Sequence, residues 1–464
     1  MKTNKILLIR PRIQIVDYGN VVPPLNLGYL ASSLIQSGFD VKIIDQIAWN
    51  YDIRDLLRII WEEEPATVGY SLFTPEVASV FHDLQKIKNV YPDIMTVLGG
   101  PHPSALPIET MQECADVDVV VAGEGEQTLV ELMGVMRNGK SFSEIKGICY
   151  RSGKDIVRTA ARPLIEDIDT LPFPAYDLLD MDKYIYWQKG FSGQRYMNII
   201  SSRGCPNKCT FCSNAVFGRR VRYRSPENVM AEIKLLYEKY DVRALSFLDD
   251  TFTINKARAF EICERIIESG LKINWGCMSA VNTVTPELLK MMRAAGCQKI
   301  SYGVESGNPE QLKSIKKNIT LNQAREAFRI THEAGIDTLA FFILGLPGET
   351  EKTLTTTRQF AMALDPDYIS VAVLCPLPGS DIYTHNKDSL PRDWAHYQLT
   401  PFNELPAVSI TALSVERLQK ELKNFYRSFY LRPSYIVRIL RRVRSWQELF
   451  FYIKKAYYTG KYWI

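Results

Sequence analysis

Met197-Asn198-Ile199-Ile200-Ser201 is a strand-length apolar run. It leads through Ser202-Arg203-Gly204 into Cys205-Pro206-Asn207-Lys208-Cys209-Thr210-Phe211-Cys212. This stretch opens the second of two alternations of strand and helix patterns, and its reading decides the fold. Further strands are predicted at 244–248, 273–278, 299–303, 338–344 and 368–373. Helical periodicity falls between them, near 228–240, 256–268, 286–295, 321–334 and 351–364. Six β/α units predict a parallel barrel, complete or partial, with its chemistry at the C-terminal ends of the strands. The three cysteines follow the first of those ends.

Upstream, the first 140 residues alternate in the same way. Strands are predicted at 5–9, 41–44, 67–72, 95–98 and 117–121, and helices at 27–36, 55–63, 76–90 and 126–137. This is the pattern of a doubly wound parallel sheet. Residues 145–150 and 155–158 flank a Ser-Gly turn and read as a hairpin, and the proline-rich stretch from Leu171 reads as an ordered linker. The expected division is therefore α/β throughout: a Rossmann-like domain over 1–140, a hairpin and linker over 141–194, a barrel over 195–390, and a helical region over 391–464.

Composition narrows the function. The chain has 464 residues, 46% apolar and 23% charged, with a net charge of +4. That is ordinary for a globular protein and too near balance for a nucleic-acid-binding footprint, so no nucleic-acid partner is expected. No apolar run reaches the ~18 residues of a membrane span, and Met1 to Arg10 runs into a strand rather than a signal sequence. A cytoplasmic location is expected, where thiols stay reduced. Six of the nine cysteines are scattered and read as small buried hydrophobes. Cys205, Cys209 and Cys212 are different.

Their spacing is Cys-x3-Cys-x2-Cys. Thiolates are soft donors that suit zinc or iron–sulfur clusters. Zinc would need a fourth ligand, and the five histidines all lie far off in sequence. A four-iron cluster on three cysteines leaves one iron open to substrate or cofactor. The spacing, with aromatic Phe211 before the last cysteine, resembles the radical S-adenosylmethionine family. So do Leu248-Asp249-Asp250-Thr251-Phe252, Tyr302-Gly303-Val304-Glu305-Ser306-Gly307 and Ile343-Leu344-Gly345-Leu346-Pro347-Gly348-Glu349-Thr350, each at a predicted strand end. The resemblance implies a [4Fe-4S] cluster on Cys205, Cys209 and Cys212 and S-adenosylmethionine on its open iron. It also implies a 5′-deoxyadenosyl radical as the product of one-electron cleavage. Phe211, Asp249, Asp250, Glu305, Gly345 and Gly348 become candidates for contact with that cofactor or the substrate. An electron donor such as flavodoxin or ferredoxin is implied as a partner.

In the first domain, Pro23 to Leu30, Gly69 to Thr74, Gly99-Gly100-Pro101-His102-Pro103 and Gly123-Glu124-Gly125-Glu126 resemble the cobalamin-binding domain that precedes many such enzymes. Ser71, Thr74, Gly99, Gly100, Gly123 and Glu124 are the candidate contacts. The string Asp-x-His-x-x-Gly is absent, so the resemblance implies cobalt without a histidine ligand; His102 reads as a loop residue. The combined resemblance implies cobalamin-dependent methylation of an unactivated carbon. A radical cyclase or ring-rearranging enzyme with the same cofactors is the alternative, and a non-catalytic cobalamin or cluster sensor a third. Residues 417–464 carry twelve Arg and Lys against two Glu, so this tail is +10. Its interleaved aromatics suit either packing on the barrel, the preferred reading, or contact with a membrane surface. Contact with a membrane would suit a lipid, isoprenoid or tetrapyrrole as the small-molecule substrate.

Overall fold

The computed structural model describes residues 4–12, 21–186, 191, 193–397 and 409–443. Its first sheet contains β1 (Lys5–Arg10), β2 (Asp40–Asp45), β3 (Thr67–Ser71), β4 (Met95–Gly99) and β5 (Val119–Val121), followed by β6 (Ile148–Ser152) and β7 (Asp155–Arg158). The order is β2-β1-β3-β4-β5-β6-β7, parallel through β5. The chain reverses its winding between β1 and β3, the switch point where such sheets bind ligands beyond their strand ends. The β6–β7 hairpin, which the sequence reading puts with the linker, instead pairs antiparallel with β5. β5 has only three residues, all buried, and the hairpin closes an edge that would otherwise be left unpaired.

In the second sheet, β8 (Ile185–Tyr186) pairs antiparallel with β9 (Gln194–Ile199). β10 (Ser202–Arg203) and β11 (Arg222–Tyr223) form a separate two-stranded clip around the cysteine loop. β12 (Val242–Phe247), β13 (Asn274–Ser279), β14 (Cys297–Glu305), β15 (Asp337–Leu344) and β16 (Tyr368–Val373) continue from β9 as parallel neighbours. Six parallel strands, with β16 at one end of the sheet and β9 near the other, make a partial barrel. Side chains alternate along them: Met197, Ile199, Leu245, Phe247, Trp275 and Cys277 pack under the helices in one core.

The helices begin where side-chain caps are available. Ser225, Asn255, Thr285, Thr320 and Thr350 each accept a backbone N–H at the start of a barrel helix, and Pro226 and Pro286 sit in first turns, where no N–H is needed. Five short helices were not expected: Gln46–Trp49, Pro101–Ala105, Pro107–Glu113, Pro309–Ser314 and Asp381–Asn386. Pro101–Ala105 and Pro107–Glu113 stand where the sequence reads as a loop, each opened by a proline pre-set to helical φ. All six scattered cysteines are buried, as expected of small hydrophobes.

The helix Val415–Tyr430 shows why most of the described tail is structural. Leu418, Leu422, Phe425, Tyr426 and Phe429 are buried on the barrel. The backbone N–H groups of Val371 and Ile369, on edge strand β16, donate to the hydroxyls of Tyr426 and Tyr430 at 2.9 and 3.1 Å. The helix thus covers that edge and satisfies donors the sheet leaves free. Trp446 and the remaining basic and aromatic residues from 444 onward lie outside the described residues. Among the described residues no helix is long and apolar enough to cross a membrane.

Candidate functional site

The cysteine loop emerges between β10 and β11. Gly204 has φ +92, and a Cβ there would meet the Arg220 carbonyl oxygen at 2.3 Å, so only glycine lets the loop leave the clip. Cys205 is half-buried, Cys209 buried and Cys212 exposed. The loop is fastened from below: Thr210 N–H donates to the Ile315 carbonyl at 3.0 Å, and Ile382 N–H donates to the Thr210 carbonyl at 2.9 Å. Phe211 packs against the small apolar group of Leu312, Ile315, Leu346, Leu374 and Ile382. A hydrogen bond between the Cys209 and Cys212 thiols lowers Cys209 to a pKa of about 7 and raises Cys212. Burial raises Cys205. Among the described residues no three His, Cys, Asp or Glu side chains converge on a single-ion site. A four-iron cube does not ask for that, because each thiolate binds a different iron at a separate corner.

The strand-end carboxylates divide into two kinds. Asp249 is fully buried and accepts from Ser201 N–H at 2.7 Å and from the Ser201 and Ser202 hydroxyls at 2.6 Å each. Where the sequence reading makes it a candidate cofactor contact, the acid is 0% exposed and ties the cysteine strand to β12. Its neighbour Asp250 is exposed, while partial desolvation of its carboxyl, then the Asp249 charge, raises its pKa. Asp250 is the acid free to meet a ligand. Glu305 ends β14 at φ +66, a left-handed conformation uncommon outside glycine, next to a register shift between Gly303 and Glu305. Its carboxylate is 2.8 Å from the Lys317 ammonium.

Gly345 and Gly348 have φ +80 and +77. A Cβ at Gly345 would press on Leu418 at 3.0 Å, whereas nothing lies within 4 Å of one at Gly348. Of the two, only Gly348 leaves space for a ligand. Gly345 N–H donates to Glu349, which also accepts from Gln311 at 2.9 Å, so the turn is held from inside.

Facing the cysteine loop is a cleft of about 770 Å³, open mouth included. The first domain lines it with Asn26, Ser71, Gly99, Gly100, Gly123 and Glu124, and the barrel with Ile200, Arg203 and Phe217. At Gly99 a Cβ would have only Val121 near it, at 3.7 Å, and at Gly123 nothing within 4 Å. The bare backbone therefore holds a cradle open, which fits a large planar cofactor approaching the strand ends. Gly100 is different: its φ is +96, and a Cβ would strike Leu72 at 2.8 Å. Thr74 does not reach the cleft as expected. It is buried with its hydroxyl 3.1 Å from Nδ1 of His102. His102 is no loop residue either: it is 1% exposed, edge-on to Trp394, and burial lowers its pKa to about 4.

Glu124 lines the cleft, but its carboxylate is engaged on all sides. It accepts from Arg203 at 2.8 Å, from Arg222 at 2.7 Å and from the Ile165 N–H at 2.8 Å. Arg203 also reaches Glu126 at 2.6 Å and lies over the rings of Tyr29 and Phe217. Sequence reasoning named Glu124 as a cofactor contact and missed Arg203, Arg222 and Glu126. Only their adjacency to the two loops hinted at them; no spacing rule joins residues about eighty positions apart.

Two family models match, "B12 binding domain" over residues 11–133 and "Radical SAM superfamily" over residues 199–361. The chain is 36% identical to the uncharacterized methyltransferase PH0819 of Pyrococcus horikoshii, over 94% of this chain and 95% of that protein. It is 31% identical to the anaerobic magnesium-protoporphyrin IX monomethyl ester cyclase of Rubrivivax gelatinosus, over 89% and 75%. Its fold matches that of the radical S-adenosylmethionine methyltransferase TsrM from Kitasatospora setae, with a TM-score of 0.70 at 19% identity, over 90% of this chain and 85% of that one. With a glycine-lined cleft on one sheet facing a three-cysteine loop on the other, and relatives of this similarity across nearly its whole length, the chain belongs to the family of B12-binding radical S-adenosylmethionine enzymes.

Proposed function

We propose that this enzyme transfers a methyl group to an unactivated carbon of a small molecule. The observation that carries the reading is the facing arrangement: one cleft is lined by Gly99 and Gly123 from the first sheet and by Arg203, two residues before Cys205, from the barrel. A substrate between two cofactors needs both loops fixed at one distance and water excluded. The buried Arg203–Glu124–Arg222 contacts do the fixing. In this reading Cys205, Cys209 and Cys212 hold the [4Fe-4S] cluster, and Asp250, Glu305 and the open turn at Gly348 bind S-adenosylmethionine or substrate. Ser71, Gly99, Gly100 and Gly123 bind cobalamin. When bound, the cluster and S-adenosylmethionine supply hydrogen abstraction, and cobalamin supplies the methyl group.

Anaerobically reconstituted enzyme, reduced by flavodoxin or ferredoxin and given a metabolite extract of its host, tests this. Formation of 5′-deoxyadenosine together with S-adenosylhomocysteine and a product heavier by one methylene supports it. Formation of 5′-deoxyadenosine without S-adenosylhomocysteine would point to the cyclase reading, which the similarity to the magnesium-protoporphyrin ester cyclase favours as the second choice. Absence of both products would support the sensor.

The substrate class proposed is an apolar or planar one: a lipid, an isoprenoid or a tetrapyrrole. Leu248 and Met278, at the C-terminal ends of their strands, are 40% and 36% exposed, leaving apolar surface at the strand ends of the barrel. A peripheral membrane contact through the helix Pro433–Arg442 accompanies this reading, since Ile436, Val437 and Leu440 are exposed among arginines. Co-sedimentation with anionic vesicles at low salt, lost on removal of residues 433–464, is the expected result. A cytoplasmic enzyme indifferent to vesicles is the outcome that removes the membrane contact.

A further inference from the structure

Lys317 is a nearly buried cation placed next to the cysteine loop. Its side chain is 15% exposed and its ammonium is 2.8 Å from Glu305, itself 8% exposed. The segment before it grips the loop: Ile315 accepts from Thr210 N–H, and the Lys316 carbonyl lies 4.0 Å from the Cys209 sulfur. Lys316 has φ +53, which turns the chain so that Lys317 returns toward β14. Space for the pair is built in at Gly303. A Cβ there would stand 2.4 Å from the Glu305 carboxylate and 2.7 Å from the Lys317 nitrogen. The Glu305 carboxylate at 2.8 Å compensates the buried charge of Lys317 and holds it as an ammonium.

We propose that the Lys317–Glu305 pair sets the electron affinity of the iron–sulfur site on Cys209 and Cys212, with Lys317 favouring the reduced form and Glu305 opposing it. This rests on the three cysteines being the cluster ligands. Uptake of one electron from an external low-potential donor adds one negative charge to the cluster. A fixed cation in a poorly solvated site lowers the free energy of that state and a fixed anion raises it, because burial weakens dielectric screening. The pair as built is a near-cancelling dipole whose two halves can be removed separately.

The test is a redox titration of the anaerobically reconstituted full chain, without S-adenosylmethionine, followed by electron paramagnetic resonance of the reduced cluster. Lys317→Met should lower the equilibrium constant for taking up the electron about tenfold, which is about 59 mV toward more negative potential. Glu305→Gln should shift it in the opposite direction by a similar factor, and Lys317→Arg should stay within threefold of the parent. The double variant should return toward the parent value. Shifts below twofold in both single variants, or a positive shift in Lys317→Met, overturn the proposal. Should Lys317→Met fail to load iron, the sign of the Glu305→Gln shift decides it. A parent chain that binds no cluster at all would refute the ligand assignment instead, so the two failures are distinguishable.

Discussion

Glu124, in the loop after β5, accepts a hydrogen bond at 2.8 Å from Nη1 of Arg203, a residue 79 positions later and two before Cys205. Both side chains are at most 3% exposed. One buried contact therefore joins a loop of the first sheet to the root of the cysteine loop. Arg222 and Glu126 complete it, so each charge has a partner of opposite sign. Breaking a buried pair strands an uncompensated charge, which costs more than the intact pair contributes. Arg203→Met is expected to destabilise the fold by about 3–5 kcal/mol. Denaturant unfolding checks this, and Glu124→Gln/Arg203→Met should cost less than the sum of the single variants.

Replacing Cys205, Cys209 and Cys212 together with alanine should abolish both iron binding and S-adenosylmethionine cleavage while leaving the fold intact, since Cys212 is exposed and Cys205 only half-buried. Iron content and circular dichroism measure the two halves. A full cluster in the triple variant would remove these residues from the site.

Gly99→Leu should eliminate cobalamin binding with little loss of stability. The neighbourhood of a Cβ at that position is open apart from Val121, so the larger side chain projects into the cleft. Gly99→Ala should keep most of the affinity. Absorbance of bound cobalamin after gel filtration separates the two.

His102 makes a prediction about pH. Its folded pKa of about 4 lies below the ordinary value of 6.5, so at pH values between the two the unfolded chain takes up a proton that the folded chain refuses. Its contribution is full above pH 6.5 and is lost as pH falls toward 4, by about 3 kcal/mol at most at 1.36 kcal/mol per pKa unit. His102→Phe should flatten this part of the stability profile, as read by urea midpoints at pH 4.5 and 7. Buried against Thr74 and Trp394, the same histidine should add no nitrogen splitting to the resonance of Co(II) cobalamin.

Phe425→Ala should cost about 3–5 kcal/mol, the usual range for a fully buried phenylalanine. The ring is 0% exposed and packs, tilted by 42°, on Phe342 of β15 with centroids 5.5 Å apart. Thermal unfolding reads the loss. A change near zero would mean that the helix Val415–Tyr430 is not part of the barrel core.

The sequence by itself determined the two parallel sheets, the described helices of nine residues or more and the three-cysteine loop. Strand and helix are written in local periods of 2 and 3.6, and Cys205, Cys209 and Cys212 fall within one eight-residue window. Only the tertiary structure decided which acids are free. Asp249 and Asp250 are neighbours in the chain, yet one is spent on Ser201 and Ser202 and the other is exposed. Thr74 and Glu124 looked available until His102, Arg203 and Arg222 arrived from distant segments. A side chain's partners depend on which elements pack together, and residues 79 or 98 positions apart leave no local pattern that announces their meeting. The role of Gly303 was hidden for the same reason. Its missing side chain matters only because Lys317 and Glu305 close over it in the folded chain.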